Sequence, residues 1–584
     1  MKGRHTFKTG VVLEYSGEDD FDQINVQPIP GSTNNRNGRF QFTNATGTGL
    51  GIANAALGMF TNYAEIGQRA LTKWRALATD FFVQDSWKPT SNLTIEGGFR
   101  WAIWPPWYST TNNIATFNPA YYDTSNQAVV DPTTGRITSG PRYNGVLLPG
   151  DGFEGNGNDL AVAQDPDVLA LFQGAPRGLA ETHYDAIEPR LGASYAVNEK
   201  TIVKLSAGIF HNRVTLNDST LLGGNPPFQP QVSVSNGNAD NPGTGGAASL
   251  PLAMTAIDPE FKHPTSYMWS AGVQREIPLG FVLDVTYVGR RGAYLQRERD
   301  INQLLPGTTL ANPGVNSAAL RPFKGFGVIR LSENAGYSKY NSLQVSAERR
   351  YRNGFKFGAA YTLGHSEDNG SSKRDILFNA FDDSGFWGNS NFDRRHVFNF
   401  YYIYDLPFYR DQVGVIGKTL GGWQVSGSTF MRTGTPFWVT EAADVAGTGD
   451  TFAAPWNIVG DPNANTNKEF SNGSDQNFWI NPAAFARPTT GTFGNSKRLE
   501  FYNPGQYQWD IALFKNVSVG GSRNVQFRAE IFNFLNHPNW SNVDGTTNTQ
   551  SGGGSGSPTT ATFGRVTSKD NSRRDIQLSL RFLF

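Results

Sequence analysis

Apolar and polar residues alternate in stretches of about ten residues along much of this chain. Between 355 and 363, Phe355, Phe357 and Tyr361 occupy odd positions and are separated by polar or small residues. Because successive side chains of a strand point to opposite faces, this pattern predicts a strand with one apolar and one polar face. The segment 342–348 alternates in the same way, and the Asn-Gly pair at 353–354 is typical of a tight β-hairpin turn.

Five more hairpins follow from the same pattern: 77–88 with 93–104, 187–197 with 201–211, 267–276 with 281–294, 398–405 with 423–432, and 507–517 with 525–535. An opening strand near 5–15 and a final strand bring the predicted total to about fourteen. Polar connections rich in Gly and Asn separate the hairpins: 16–75, 105–185, 213–264, 295–336, 367–394, 434–504 and 536–572. Short turns that alternate with long loops are typical of outer-membrane barrels, whose long loops are extracellular. We therefore predict an all-β fold, an antiparallel transmembrane β-barrel.

Composition narrows the possible functions. The chain of 584 residues carries 50 Lys and Arg, 50 Asp and Glu, and no Cys. A zero net charge argues against a nucleic-acid partner, and the lack of Cys excludes a disulfide scaffold, a thiolate metal site and a Cys nucleophile. No apolar run is long enough for a transmembrane helix. The N-terminus lacks the apolar segment of a signal peptide and opens directly into a strand-like alternation, so we expect a fragment of a longer protein.

The final segment, 575–584, places Leu578, Leu580, Phe582 and Phe584 on one face. An alternating last strand that ends in Phe resembles the signal read by the outer-membrane assembly machinery. We therefore predict Phe582 and Phe584 as an assembly signal, with that machinery and outer-membrane lipid as partners. The alternative is an amphipathic last strand of a soluble β-protein.

Four aromatic residues cluster where an ascending strand would leave the bilayer: Trp101, Trp104, Trp107 and Tyr108. Trp and Tyr concentrate at membrane–water interfaces because their rings are apolar and their tips polar. These residues are predicted to be interface aromatics. A Trp-lined carbohydrate platform is an alternative that does not exclude the first interpretation.

Gln526, Arg528 and Glu530 alternate with apolar neighbours and are predicted to face the lumen, where polar side chains are tolerated. They could contact a plug or a solute, but a structural ladder along the lumen is the favoured interpretation. The seven His residues are scattered, and the acidic, Gly-rich segment 151–159 does not match EF-hand spacing. We predict no catalytic, cofactor or metal site.

Several sequence segments, in order along the chain, resemble segments of Oar-like TonB-dependent receptors. They include FFVQDSWKPTSNLTIEGGFRW at 81–101, YNSLQVSAERRYRNGFKFGAAYTLGHSEDN at 340–369, FRAEIFNFLNHPNW at 527–540 and TFGRVTS at 562–568. The resemblance covers nearly all of residues 1–584 and implies a barrel of twenty-two strands preceded by a plug and often by a small regulatory-like domain. Neither the plug nor a TonB box is found here, so the chain would supply about fourteen of those strands.

This resemblance implies a role in uptake of a large solute across the outer membrane of a Gram-negative bacterium. A TonB-type energy-coupling protein would act on the plug absent from this chain, and no residue is expected to make or break covalent bonds. One alternative is a secreted all-β carbohydrate-binding protein or glycosidase. A second is a passive porin or a structural surface protein.

Overall fold

A computed structural model describes residues 4–21, 39–44, 47–66, 71–214, 220–228, 231–241, 251–441, 443–466, 478–521, 523–547, 562–570 and 573–584. Parts of the predicted loops 16–75, 213–264, 434–504 and 536–572 therefore lie outside the described residues. Fourteen long strands form one antiparallel sheet, called the wall here. In chain order β1 to β14 are His5–Phe21, Leu71–Trp87, Leu93–Ile103, Ala186–Asn198, Thr201–His211, Thr265–Ile277, Phe281–Asp300, Phe326–Arg352, Phe355–Asp368, His396–Asp405, Trp423–Arg432, Gln506–Gly520, Arg523–Phe532 and Asp575–Leu583.

Each wall strand pairs with its neighbours in sequence, so the order in space is the order in the chain. Apolar residues lie opposite apolar residues on paired strands: Val11 opposes Phe81, which in turn opposes Trp101. This confirms the predicted all-β antiparallel fold and each of the predicted hairpins. Among the described residues, no helix has the length and apolar character needed to cross a bilayer.

The long connections carry the short elements of the structure. Helices α1 to α5 are Gly51–Ala56, Pro166–Leu169, Thr308–Ala311, Ser317–Leu320 and Gly414–Leu420. Short strands are Arg39–Gln41, Met59–Ile66, Tyr108–Ser109, Thr116–Phe117, Val129–Val130, Ile137–Ser139, Val146–Pro149, Phe172–Ala175, Gln231–Asn238, Leu252–Ile257, Gly388–Asn389, Pro436–Phe437, Thr440–Glu441, Ala454–Pro455, Asn457–Ile458, Phe485–Ala486, Phe501–Tyr502, Asn539–Val543, Thr546–Thr547 and Val566–Asp570. Turns of 3₁₀ helix are Pro119–Tyr121, Gly155–Asp159, Thr220–Leu222, Pro278–Gly280, Ser384–Phe386 and Pro482–Ala484.

The apolar face of the wall is not packed into a dry interior. Eight residues on the apolar side of the strand alternation are all exposed or half-buried, and none belongs to an apolar core: Phe355, Phe357, Tyr361, Val525, Phe527, Ile531, Leu578 and Leu580. Aromatic rings on this face pack side by side, as Phe357 and Phe400 do with their centroids 5.2 Å apart. This outward apolar face fits a wall whose outer surface contacts lipid.

Dry packing occurs instead among the long connections. One core joins Phe117, Leu148, Val168, Phe228 and Phe326. A second core is built from the later connections and includes the following buried residues: Phe437, Val439, Trp456, Phe485 and Phe563. The connections thus fold against one another as a soluble protein does, and the wall carries them.

All long connections between wall strands leave from one edge of the wall. The 105–185 connection follows Ile103 and returns at Ala186, and the 434–504 connection leaves beyond Arg432, which opposes Gln506. Phe584 lies at the other edge, beside the β12–β13 turn, because Leu583 opposes Asn524. Both connections therefore lie opposite the chain end, as expected when short turns and long loops alternate.

The longest strands reach further than the alternation predicts. The predicted loop 295–336 begins instead as a strand, since β7 continues to Asp300 and β8 starts at Phe326. Register shifts near Gly292 and Leu295 interrupt the β7–β8 ladder before it continues to the pair Asp300–Arg330. The extension lacks alternation because it packs against other connections on both faces, so the sequence gives no period-two signal there.

The first and last wall strands each have one neighbour in the wall. β1 pairs with β2 and β14 pairs with β13, and among the described residues no register joins β1 to β14. Nearly all of β14 is exposed, including both Gln577 and Leu578 on opposite faces. Within the described residues the sheet is therefore not closed, and it has two free edges.

We expect an arginine on the outward face to destabilise the wall. Phe400→Arg places a charge among the outward rings, which costs about 2–4 kcal/mol near the bilayer midplane. Asn399→Arg is the matched control, because the adjacent residue lies on the polar face. Unfolding by guanidinium in lipid vesicles measures both variants, and equal losses would contradict the assignment of the faces.

Candidate functional site

A cavity of about 600 Å³ lies against the polar face of six wall strands, β1 to β6. Side chains from this face include Gln84, Glu96, Arg100, Arg190 and Phe210. They reach the same space because alternate residues of paired strands share a face. The cavity combines charge, hydrogen-bonding groups and aromatic surface, so it can bind a polar organic solute without any covalent step.

Ion pairs hold the two arginines of the cavity. Arg100 contacts the buried Asp80 at 2.5 Å, and Arg190 contacts the buried Glu188 at 2.6 Å. The Arg190 guanidinium also lies 4.6 Å from the centre of the Phe210 ring. A carboxylate and a ring fix these cations in place, so a solute meets a preorganised surface.

Glycines form much of the cavity floor. A Cβ added at Gly98 would lie 2.5 Å from the Val83 carbonyl oxygen, whereas one at Gly192 would have no neighbour closer than 3.8 Å. Gly98 is therefore required by the close approach of two strands, and Gly192 leaves space that a side chain could fill.

The three residues predicted to face the lumen lie on the same polar face, but outside the cavity. Gln526 donates from Nε2 to Asn516 Oδ1 at 2.7 Å, and Arg528 donates from Nε to Gln526 Oε1 at 2.6 Å. Glu530 continues this row, opposite Ala512 and Gln577. The row resembles the structural ladder favoured by the sequence analysis, and its facing a lumen stays a prediction.

The four predicted interface aromatics separate in space. Trp101 is exposed on the outward face and donates from Nε1 to the Tyr184 carbonyl at 2.8 Å. Trp104 is only 7% exposed and donates to Asp80 at 3.0 Å, so it contacts protein and not lipid. Trp107 is half-buried under Arg213, and Tyr108 lies beneath Arg177, so both pack against cations of the connections. Of the four, Trp101 lies on the outward face, and its place at a membrane interface stays a prediction.

A second aromatic group escaped the sequence analysis. Together with Met431, it lines a shallow depression where the outward face meets the long connections, and its members are Phe398, Trp479, Tyr507, His537 and Trp540. The Tyr507 and His537 rings stack with centroids 3.7 Å apart. Alternation could have placed Phe398, Met431 and Tyr507, but the other residues come from connections that carry no periodic signal.

Buried ion pairs tie the long connections together. Arg498, 3% exposed, contacts Asp368 at 2.7 Å and Asp375 at 2.9 Å, and it donates to Ser371 Oγ at 2.9 Å. Its partners come from the last residue of β9 and from the connection that follows it, more than a hundred residues earlier in the chain. Two connections are therefore fixed to each other through one guanidinium.

The extensions of β7 and β8 add four more pairs. Arg297, 1% exposed, contacts Glu333 at 2.9 Å and Asp383 at 2.7 Å. The fully buried Glu298 contacts Arg330 at 3.2 Å and Arg374 at 2.6 Å. Each buried charge has an opposite charge within hydrogen-bonding reach, as burial requires.

A triad joins the same region to the connection after β11. Arg321 lies between Asp300 at 3.0 Å and Asp450 at 2.5 Å, and all three are nearly inaccessible to solvent. Burial, together with the neighbouring Asp450 carboxylate, raises the pKa of Asp300. The triad and the ion pairs of Arg498, Arg297 and Glu298 are together called the loop network here. The loop network links the connections at 295–336, 367–394 and 434–504.

His263 is buried between the wall rim and the connections. Its ring meets Trp104 edge to face at 5.4 Å, and His183 lies 6.4 Å away on another side. Burial, with smaller contributions from His183 and His211, lowers the pKa of His263 to about 4, whereas Asp185 acts in the opposite direction. The imidazole is therefore neutral at ordinary pH.

Removing Arg498 should loosen the connections. Arg498→Ala leaves Asp368 buried without its cation, which costs about 3–5 kcal/mol. We expect faster amide exchange across 367–394 and faster proteolysis of that segment. Arg177→Ala is the control, because Arg177 pairs with Glu154 at 2.9 Å in a largely exposed position, where such pairs contribute about 0–1 kcal/mol. Similar effects of the two variants would contradict the loop network.

Acid should loosen the packing around His263. Because the folded-state pKa is lowered, the folded protein binds fewer protons than the unfolded chain, so this stabilisation is present above about pH 6.5 and is lost as the pH falls toward 4. The protection factors of the amides at 258–264, which correct the exchange rates for the intrinsic slowing at low pH, should fall between pH 7 and about pH 4.5. His263→Phe keeps the ring and should remove this fall, whereas His5→Phe at the opposite edge should not.

Several solved structures align with this chain at low sequence identity. The outer membrane transporter YddB from Escherichia coli aligns with 89% of this chain at 10% identity and a TM-score of 0.40. The FrpB iron transporter from Neisseria meningitidis covers 88% at 9% identity and 0.39, and the ferric yersiniabactin uptake receptor FyuA from Yersinia pestis covers 90% at 9% identity and 0.36. This chain spans 59%, 46% and 48% of the three, respectively.

No curated protein sequence matches this chain. A family model described as an outer membrane beta barrel domain matches residues 1–577. The match covers nearly the whole wall and its connections, and it agrees with the outward apolar face. The chain therefore belongs to the family of outer-membrane β-barrel proteins, and its place is the outer membrane of a Gram-negative bacterium.

Proposed function

We propose that the wall and its connections form the solute-binding part of an outer-membrane receptor that takes up a large solute. The observation that carries this proposal is the cavity on the polar face, with its fixed Arg100 and Arg190, in a wall whose connections are locked by buried ion pairs. A surface that is rigid before binding loses less entropy when a solute arrives. Extracellular placement of the connections follows from the parity of short turns and long loops.

The loop network supports recognition over a passive pore. A passive pore needs only a hydrated opening, whereas this chain buries Arg297, Arg321 and Arg498 among its connections. Buried pairs cost desolvation energy and are weak sources of stability, so their value here is to fix the positions of the connections. Fixed connections can present the same binding surface to each solute molecule.

Energy coupling is the part of the proposal that rests on the resemblance to Oar-like TonB-dependent receptors. A TonB-type partner would act on a plug contributed by a segment outside this chain. The polar row from Asn516 to Arg528 offers hydrogen-bonding groups that such a plug could contact. Phe582 and Phe584 are both exposed at the end of β14, where the assembly machinery could bind them.

The alternatives differ in what they require. A secreted carbohydrate-binding protein or glycosidase requires a soluble fold, which is incompatible with membership of the outer-membrane family and with the outward apolar face. A passive porin shares the fold but requires no energy coupling. The proposal assigns no covalent step to any residue.

Uptake by whole cells tests the proposal. Cells that produce the full receptor are given a defined mixture of peptides, oligosaccharides and ferric chelates, and depletion is measured by mass spectrometry with and without the TonB-type protein. We expect one class to be depleted only when the energy-coupling protein is present. Equal depletion without it would favour a porin and overturn the proposal.

A cavity-filling variant connects this uptake to the site. Gly192→Leu projects a side chain into the cavity without a steric clash, since the nearest atom to its Cβ is the Leu205 carbonyl oxygen at 3.8 Å, and we expect uptake to fall at least about tenfold. Ala193→Leu is the matched control, because Ala193 opposes Ile95 and Leu205 on the outward face and does not line the cavity. If both variants transport as the unchanged protein does, the cavity is not the binding site.

A further inference from the structure

The connection between β10 and β11 differs from the other connections at its edge of the wall. It spans 406–422 and contains helix α5, whereas the others are turns of a few residues. Its apolar side chains are strongly exposed: Val413 is 80% exposed, Val415 84% and Ile416 65%. Phe408, Tyr409 and Leu420 are exposed beside them. This short segment therefore carries six large apolar side chains that are exposed.

The exposure does not come from a loose segment. Gln412 donates from Nε2 to the Asn516 carbonyl at 3.1 Å and accepts from the Ser518 amide at 3.3 Å. Leu406 and Trp423 close the base of the connection through a backbone bond of 2.9 Å. A segment anchored in this way to two wall strands presents its apolar residues in a fixed direction.

Trp423 shows which side of the wall the helix occupies. It opposes Lys515 and is followed on the same face by Val425, which opposes Leu513, so it belongs to the outward apolar face. Its Nε1 donates to the Thr419 carbonyl at 3.0 Å, near the C-terminal end of α5. The helix therefore ends against the outer side of the wall, directly below the belt that contacts lipid.

This edge carries the short turns, which face the periplasm in outer-membrane barrels. The side chains of α5 thus lie at the level where the periplasmic leaflet meets water. Arg410 and Lys418 belong to this connection, and Lys515 opposes Trp423 at its base. Cations of this kind suit lipid phosphates. Apolar residues beside cations at a bilayer surface are typical of helices that lie in the membrane plane.

We propose that residues 408–420 form an in-plane anchor whose apolar side chains insert into the periplasmic leaflet of the outer membrane. The occupant of this apolar surface is lipid, because the surface continues the outward belt without interruption at Trp423. The anchor holds the β10–β11 end of the wall at a fixed depth. This inference rests on the outer-membrane location and is independent of the solute or of energy coupling.

Site-directed spin labelling tests the anchor, and the lack of native Cys makes single labels unambiguous. The full chain carrying Val415→Cys or Ile416→Cys is labelled with a nitroxide and reconstituted in vesicles of phosphatidylethanolamine and phosphatidylglycerol. Leu578→Cys, in the apolar belt, is the lipid reference. Val459→Cys is the aqueous reference, because Val459 is 63% exposed within the long connections. Oxygen, which partitions into lipid, and a water-soluble nickel chelate are the two relaxing agents.

The expected result is a ratio of oxygen to nickel accessibility at 415 and 416 close to that at Leu578 and at least about fivefold above that at Val459. A ratio like that at Val459 would show the helix in water and overturn the proposal. Protection from both agents would show a protein contact, such as a second copy of the chain, and would overturn it equally. All four sites are exposed, and heat-modifiable gel migration identifies the folded variants used for the comparison.

Discussion

The backbone hydrogen bond in lipid is the constraint on which this structure depends. No water is available in the hydrocarbon layer, so each amide and carbonyl needs a partner within the protein. The antiparallel ladders from β1 to β14 meet this need strand by strand, and they fix which side chains share a face. Once the apolar face must contact lipid, an apolar core of ordinary kind cannot form inside the wall. The buried clusters around Phe117 and Phe437 accordingly lie among the connections.

The same constraint makes the two free edges of the wall significant. β1 begins and β14 ends at the short-turn edge, so the two strands run antiparallel and could pair without a crossover. Each unpaired backbone group in lipid costs several kcal/mol, and a strand such as Asp575–Leu583 presents several of them. Both edges therefore need partner strands within the bilayer, either each other or further strands of a wider barrel. The tilt and stagger of the strands differ between these two solutions.

Sequence alone predicts the wall well and the connections poorly, for a physical reason. Alternation is a local signal, because Phe355, Phe357 and Tyr361 report their common face within seven residues of sequence. The ion-pair partners of Arg498 are Asp368 and Asp375, and no local sequence pattern links residues so distant in the chain. Trp104 illustrates the same limit. Its position after a strand end predicts a membrane-interface environment, but its side chain is buried and donates a hydrogen bond to Asp80 on the neighbouring strand. The cavity also depends on which strands become neighbours, which alternation does not specify.

Stability and recognition are consequently assigned to different parts of the molecule. The wall is held by backbone hydrogen bonds and by lipid, and neither depends closely on particular polar side chains. The strand that contains Gly192 therefore forms even though this residue has no side chain. The connections are held by specific ion pairs, such as those of Arg321 with Asp300 and Asp450. Replacing one partner leaves the other charges buried without a counter-charge. If the cavity binds the solute as proposed, a change of solute can evolve on the cavity floor, whereas the network must change in matched pairs. The outward belt faces away from the cavity, so it can keep its lipid contact while the cavity floor varies.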